Sequence, residues 1–149
     1  MKKIKLVLFT FAAVLCVGFT PCRAQFDPDA TIKEYTQLLS ETLPQKDVGV
    51  YTWEGIEFYE GTLIIRYEIP DDDFDKKQNA KHFRNKLAHV ASDPILSPLV
   101  SICTSMGYDM RFLYVSESMG YDDFYEIEPA DLKDLFEKQV EENSKQHRK

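Results

Sequence analysis

Residue types that carry reactive chemistry are scarce in this sequence. Two of the three cysteines lie within the first 22 residues, and only Cys103 lies in the body of the chain, so no internal disulfide is expected there. The sequence has no glycine-rich phosphate-binding loop and no nucleophile-elbow motif, so nothing favours the nucleotide-binding or esterase classes that those motifs mark. No stretch beyond the N-terminus is apolar enough to span a bilayer.

The first 24 residues have the pattern of an export signal. Lysines precede an apolar run that is too short for a permanent membrane helix. Cys22 and Ala24 place small residues where a signal peptidase requires them, so cleavage is expected after Ala24. A retained anchor and lipidation of Cys16 or Cys22 are the alternatives, although neither cysteine follows the small residue that a lipid-accepting cysteine normally follows. We predict a signal peptide followed by one periplasmic or secreted domain, residues 25–149.

Basic residues are few once that segment is removed. It takes four of the 18 Lys and Arg residues and none of the 25 Asp and Glu residues, which leaves 14 basic side chains and a net charge of −11. A domain this acidic repels phosphate backbones and anionic membrane surfaces. We therefore expect no nucleic-acid partner and, after cleavage, no membrane association. Nothing in the sequence indicates a cofactor.

A β-hairpin over residues 50–69 is the strongest structural pattern in the chain. Its halves are rich in β-branched and aromatic residues, and Glu60-Gly61 between them suits a tight turn with positive φ. This register gives the hairpin one apolar face, with Phe58 opposite Leu63, Ile56 opposite Ile65, and Tyr67 and Ile69 beyond them.

The rest of the chain predicts helices and a second hairpin. The alternate aspartates at 71, 73 and 75 lack the glycine and glutamate of a calcium loop, so a solvated linker is predicted there. Two helices are expected at 28–43, with Thr31 as cap, and at 77–92. A third is expected at 95–106, between an Asp93-Pro94 cap and Gly107, and a fourth from Pro129, with fraying from Glu141. Strands are expected at 108–116 and 123–128. This order predicts an α+β fold whose four-stranded, mainly antiparallel sheet has its helices packed on one face.

Candidate catalytic and metal-binding residues are weak. Cys103 with His82 or His89 as base would suit a thiol enzyme, but a lone cysteine among aliphatic residues is typical of a core. His82 and His89 are nearly two helical turns apart, so they cannot share one zinc ion. Carboxylates at or beside the hairpin have no local feature that would desolvate one for general-acid work: Glu54, Glu57, Glu60 and Glu68. No catalytic or metal residue is assigned.

The second face of the hairpin predicts a binding surface. If Ile56 and Phe58 point inward, alternation turns a set of rings outward, and such patches favour protein contacts. The alternatives are that helix one or the C-terminal tail covers this face, or that a bulge at Glu54-Gly55 turns half of the strand inward. Sugar stacking on the tryptophan is a further variant of the binding prediction. The predicted binding residues are Tyr51, Trp53, Tyr59, Ile64 and Arg66.

Several of these motifs resemble a group of small exported bacterial α+β proteins of unknown function. The resemblance spans roughly residues 49–132 and lies mostly in turns and core positions. Leu132 stands where that group has a second cysteine, so a disulfide of the group is absent here, and the group implies no catalytic residues. The matching segments are Gly61-Thr62-Leu63, Tyr67, Asp93-Pro94, Gly107, Phe112-Leu113-Tyr114 and Pro129-Ala130-Asp131.

The sequence therefore predicts an exported domain that binds rather than catalyses. Its partner would be a protein or a second copy of the chain, held by the outer sheet face. One alternative is an envelope inhibitor or immunity protein that acts on a basic toxin or hydrolase, because complementary charge speeds capture. The other is a thiol or acid-base enzyme.

Overall fold

A computed structural model gives the structure of residues 27–146. The predicted signal peptide therefore lies outside the described residues. The elements are helices α1 (Pro28–Ser40), α2 (Lys76–Ala88), α3 (Leu96–Met106) and α4 (Pro129–Gln146), strands β1 (Gln45–Lys46), β2 (Thr52–Tyr59), β3 (Thr62–Ile69), β4 (Asp109–Ser116) and β5 (Asp122–Ile127), and a short 3-10 turn (Asp71–Asp73).

The strands form one five-stranded mixed sheet in the order β1-β2-β3-β4-β5. The α+β class is confirmed, and the sheet is mainly antiparallel as predicted, since three of its four strand pairs are antiparallel. The predicted count of four strands is one too low, and one pair is parallel. β1 has only two residues, which are too few to show the alternation that predicts a strand. The central strands β3 and β4 are parallel, because α2 and α3 carry the chain back across the sheet before β4 begins.

The hairpin register is confirmed. Phe58 pairs with Leu63 and Ile56 pairs with Ile65 across antiparallel strands. Glu60 and Gly61 have φ of 47° and 81°, and positive φ at both central residues is the geometry of the tight turns that match strand twist. The turn and the facing pairs are thus set by residues adjacent in sequence.

The ends of α1 and α2 differ from the predictions. Asp27 rather than Thr31 caps α1, because its carboxylate accepts the backbone N–H groups of Asp29 and Ala30. α1 ends at Ser40 instead of reaching residue 43. Asp75 caps α2 in the same way, and that helix ends at Ala88, four residues before its predicted end.

Asp93 and Gly107 bound α3 as predicted, although the helix begins at Leu96 and Ile95 occupies the N-cap position. The Asp93 carboxylate accepts the N–H groups of Ile95 and Leu96, each at 2.9 Å. Gly107 has a φ of 73° and ends the helix in the left-handed conformation. α4 continues through Gln146, past the point where fraying is expected.

The helices pack on one face of the sheet, as predicted. Along β3 and β4, buried residues alternate with half-buried or exposed ones, and the buried set joins the apolar stripes of α1, α3 and α4 in one core. Fully buried members include Leu63, Ile65, Tyr67, Phe112 and Tyr114 from the sheet and Ile32, Leu99, Cys103 and Leu132 from the helices. No helix within residues 27–146 is both long and apolar enough to cross a membrane.

Candidate functional site

The face of the sheet opposite the helices is a candidate site, and we call it the open face. Strand alternation places on it the residues that do not enter the core, and strand pairing sets them in rows. One row runs Glu57, Ile64, Arg111 and Glu126, and the next runs Arg66, Leu113 and Phe124.

The centre of the open face is apolar. Ile64, Leu113 and Val115 lie on the two middle strands and are half-buried, while Phe124 on β5 is 57 % exposed. Leu113 lies directly opposite Phe124 in the register, so the two side chains are neighbours on one surface. Contiguous apolar surface of this kind marks contact sites more often than scattered single residues do.

Two arginines flank this centre. The Arg111 guanidinium lies 5.0 Å from the centre of the Phe124 ring and pairs with Glu126. Arg66 pairs with Glu54 at 2.9 Å. Because these side chains are well exposed, each pair contributes at most about 1 kcal/mol to stability. The arginines therefore remain available to stack on aromatic rings of a partner.

The structure places two of the five predicted binding residues in the core. Tyr51 and Trp53 are each only 8 % exposed, so the prediction that they face outward is wrong. The physical reason is a β-bulge: Trp53 pairs with Tyr67 but Gly55 pairs with Arg66, so Glu54 is an extra residue in β2. That residue reverses the alternation and turns Trp53 to the side of Ile56. The bulge was one of the alternatives that the sequence left open.

The other three predicted residues do lie on the open face. Tyr59 is 62 % exposed, Ile64 is half-buried and Arg66 is exposed. The binding role of these three residues stays a prediction. Leu113, Arg111 and Phe124 were not among the predicted binding residues, although alternation in the two C-terminal strands could have placed them beside Ile64.

A buried polar cluster lies on the side of the sheet that the helices cover, and no sequence pattern predicted it. The His82 ring stacks on Tyr51 with 4.0 Å between ring centres. Its Nδ1 lies 2.9 Å from the Tyr114 hydroxyl and its Nε2 lies 3.3 Å from an Asp47 carboxylate oxygen. Lys86 donates to the same carboxylate at 2.8 Å. Asp47 and His82 are 35 positions apart in the chain, so no local motif marks the cluster.

The pKa values of Asp47, Tyr67 and Tyr114 are shifted by their surroundings in this cluster. Burial would raise the pKa of Asp47, but the hydrogen bonds from His82 and Lys86 outweigh it and hold that pKa well below its usual range. Burial, with the Asp47 carboxylate nearby, raises the pKa of Tyr67 far above its usual value, and burial does the same for Tyr114. Both phenols therefore stay protonated as donors. Because both ring nitrogens of His82 are engaged, the cluster favours a structural role over proton transfer to a substrate.

Two clefts border the cluster. The larger, about 440 Å³, lies between the loop at residues 48–50 and α2, where Lys81 and His82 line it. The smaller, about 160 Å³, has Trp53, Lys86 and Asp93 in its wall. Neither cleft contains an unpaired buried group on its lining that would identify a ligand.

Cys103 is a core residue. It is fully buried, and burial with the Asp109 charge nearby raises its thiol pKa to about 12. Such a thiol has almost no thiolate at neutral pH, which disfavours a nucleophilic role. His89, the other predicted base, lies exposed at the C-terminal end of α2. Within residues 27–146, no three His, Cys, Asp or Glu side chains lie close enough together to hold a metal ion.

The fold is similar to that of two solved bacterial proteins. A pilotin from the type 2 secretion system of Vibrio vulnificus matches with a TM-score of 0.55 and 15% sequence identity over 70% of this chain and 91% of the pilotin. A protein of Pseudomonas aeruginosa that is described as secreted matches with a TM-score of 0.51 and 9% identity over 73% of this chain and 99% of that one.

Neither a family model nor a curated protein matches the sequence. At these identities the two likenesses show a shared fold alone. Both neighbours are small bacterial proteins, as are the members of the group that the sequence motifs resemble.

Proposed function

We propose that this chain is an exported, non-catalytic domain that binds a protein partner on the open face of its sheet. The observation that carries the proposal is the apolar centre of Ile64, Leu113 and Phe124, on which no helix within residues 27–146 packs, with Arg66 and Arg111 beside it. Aromatic and arginine side chains are enriched in protein interfaces, and apolar surface between them is desolvated when a partner binds. The predicted signal peptide and the fold shared with a secretion-system pilotin support a role in the cell envelope or outside the cell.

The charge of the open face favours a partner that is basic rather than a second copy. Carboxylates outnumber the guanidinium groups around the apolar centre, through Glu57, Glu68 and Glu126 in addition to the Glu54 that pairs with Arg66. Two copies meeting face to face would bring these like charges together. An inhibitor or immunity protein against a basic toxin or hydrolase is therefore the more specific form of this proposal.

Photocrosslinking in cells of the native host tests the proposal. A photoreactive amino acid replaces Leu113 or Phe124 on the open face, and Lys133, exposed on α4, serves as the matched control. We expect a discrete adduct from both open-face positions and none from the control. An adduct whose mass is twice that of the chain would identify the partner as a second copy. Adducts that are equal at all three positions, or absent from all, would contradict the proposal.

A further inference from the structure

The two edges of the sheet differ in how they are covered. At one edge, β1 pairs with the start of β2, and the Ser40 hydroxyl at the end of α1 donates to the Ile56 carbonyl at 3.1 Å. At the other edge, β5 pairs with β4, and no strand within the described part of the chain lies on its far side. Within the described residues, the two-residue β1 and α1 therefore shield much of β2, whereas all of β5 is an edge strand.

The register identifies which backbone groups of β5 face the open side. Ser116 N–H donates to the Tyr121 carbonyl at 2.9 Å, and antiparallel pairing alternates hydrogen-bonded and non-hydrogen-bonded pairs from there. The N–H and C=O groups of Asp123 and Tyr125 therefore point to β4. Those of Asp122, Phe124 and Glu126 point away from the sheet. A row of unpaired N–H and C=O groups is the template on which an extended segment adds as a strand.

Contacts at both ends of β5 hold this edge in place. Asp71 accepts the backbone N–H groups of Ser118 and Met119 at 3.0 and 3.2 Å, which fixes the loop before β5. The Tyr125 hydroxyl lies 2.7 Å from an Asp123 carboxylate oxygen and 3.0 Å from the Lys76 carbonyl, so the strand lies against the start of α2. A preorganised edge loses less conformational freedom when a segment binds, so more of the contact energy becomes affinity.

The charge at this edge selects between occupants. Asp122, Asp123 and Glu128 make no ion pair with any residue in the range 27–146. In a two-fold pairing of β5 with β5 from a second copy, with Phe124 facing its own equivalent, Asp122 of each strand would lie opposite Glu126 of the other, and facing like charges are destabilising. A segment rich in lysine or arginine would instead meet opposite charges.

We propose that β5 accepts an extended, basic segment of a partner protein as a sixth strand. The backbone of Phe124 and Glu126 would bind that of the incoming strand. Alternate side chains of the segment would lie on the open face beside the Phe124 ring, continuing its rows. The inference rests on the proposed function, since it specifies how the partner reaches the same face and which chemistry it carries.

Amide hydrogen exchange with synthetic peptides tests this inference on residues 25–149. The probe is an eight-residue peptide of alternating lysine and valine, and the matched control has glutamate in place of lysine. We expect the lysine peptide to slow exchange of the Phe124 and Glu126 amides at least tenfold and the glutamate peptide to leave both unchanged. Equal protection by the two peptides, or no protection by either, would overturn the inference.

A pair of variants at one position isolates the backbone contribution. Glu126→Pro and Glu126→Ala both remove the carboxylate, but only proline also removes the outward N–H, and proline is tolerated on edge strands. We expect proline to weaken binding of the lysine peptide at least tenfold relative to alanine. If the proline variant does not fold, as judged by circular dichroism, exchange in the unmodified protein decides alone.

The outcomes separate this inference from the proposed function. The lysine peptide could change the NMR chemical shifts of Ile64 and Leu113 without protecting the Phe124 and Glu126 amides from exchange. That result would show binding on the open face without strand addition. In that case the proposed function stands and the strand-addition inference fails. Specific crosslinks from the Leu113 and Phe124 positions together with unprotected edge amides would lead to the same conclusion.

Discussion

At the scale of single residues, the side chains of Asp47 and His82 show how a buried charge is kept. The Asp47 carboxylate is largely buried, and it is compensated by hydrogen bonds from His82 Nε2 and Lys86 Nζ. Removing one partner of such a pair leaves the other buried without compensation, which costs more than the pair contributes. The cluster joins the segment before β2 to α2 and so orders the wall of both clefts.

The first prediction concerns Asp47→Asn. Because the folded-state pKa of Asp47 is lowered, its carboxylate stabilises the fold above the unfolded value of about 3.8, and this contribution is lost as pH falls through the folded pKa. Hydrogen bonds to charged groups contribute about 1.5–3 kcal/mol, so we expect a loss of that order at pH 7. Urea unfolding between pH 7 and pH 3 should show the gap between the two proteins narrowing below about pH 4.

Asp134→Asn, at an exposed position on α4, is the matched control and should change the free energy of unfolding by less than about 0.5 kcal/mol. A gap between Asp47→Asn and the unmodified protein that stays constant across this pH range would contradict the role assigned to the Asp47 charge.

At the scale of elements, the bulge in β2 decides which side chains enter the core. Trp53 and Ile56 are three positions apart, so in a regular strand they would lie on opposite faces. The extra residue Glu54 places both on the helix-covered side, where Trp53 Nε1 donates to the Gly55 carbonyl at 3.0 Å. A simple twofold pattern therefore describes only the second half of this strand.

The second prediction compares two single-residue deletions in β2. Deleting Glu54 removes the bulge and leaves Trp53 and Ile56 two positions apart, so both still face the core. Deleting Glu57, in the regular half, puts Ile56 next to Phe58 and forces one of them outward. We expect the first deletion to cost less than about 2 kcal/mol and the second to cost more than about 3 kcal/mol or to prevent folding.

Emission of Trp53, the single tryptophan of the chain, reports on the result together with thermal unfolding. The Glu54 deletion should keep the short-wavelength emission of a buried indole. A shift to longer wavelength in the folded Glu54 deletion would show that the bulge does not account for the position of Trp53.

At the scale of the whole molecule, the sheet separates two kinds of surface. The helix-covered side carries the core, and in it Phe112 is fully buried and contacts the rings of Tyr67 and Phe83. The open face carries Phe124, which is mostly exposed and contacts Arg111. The core and the proposed binding surface therefore lie on opposite faces of the same strands.

The third prediction uses this pair of phenylalanines. Phe112→Ala should lower the free energy of unfolding by about 3–5 kcal/mol, the usual cost of a cavity at a buried ring. Phe124→Ala should lower it by less than about 1 kcal/mol, which corresponds to the loss of one exposed cation–π contact. Urea denaturation of both variants provides the measurement. A comparable loss in the two would mean that Phe124 contributes to the fold rather than to an interface.

Features that neighbouring residues set could be predicted from the amino-acid order alone. The turn at Glu60-Gly61, the facing pairs of the hairpin and the signals at Asp93 and Gly107 follow from local φ preferences, side-chain hydrogen bonds and periodicity. The burial of Cys103 also followed, because the surrounding helix is apolar on adjacent stripes.

The remaining features depend on contacts between distant segments, so they emerged only in the folded chain. The parallel pairing of β3 with β4 depends on how α2 and α3 return the chain, and the meeting of Asp47 with His82 depends on packing across the fold. Whether Trp53 pointed in or out depended on one extra residue in a strand, which the core accepts because it can bury the ring. The candidate site moved accordingly, from Tyr51 and Trp53 to the centre of the sheet.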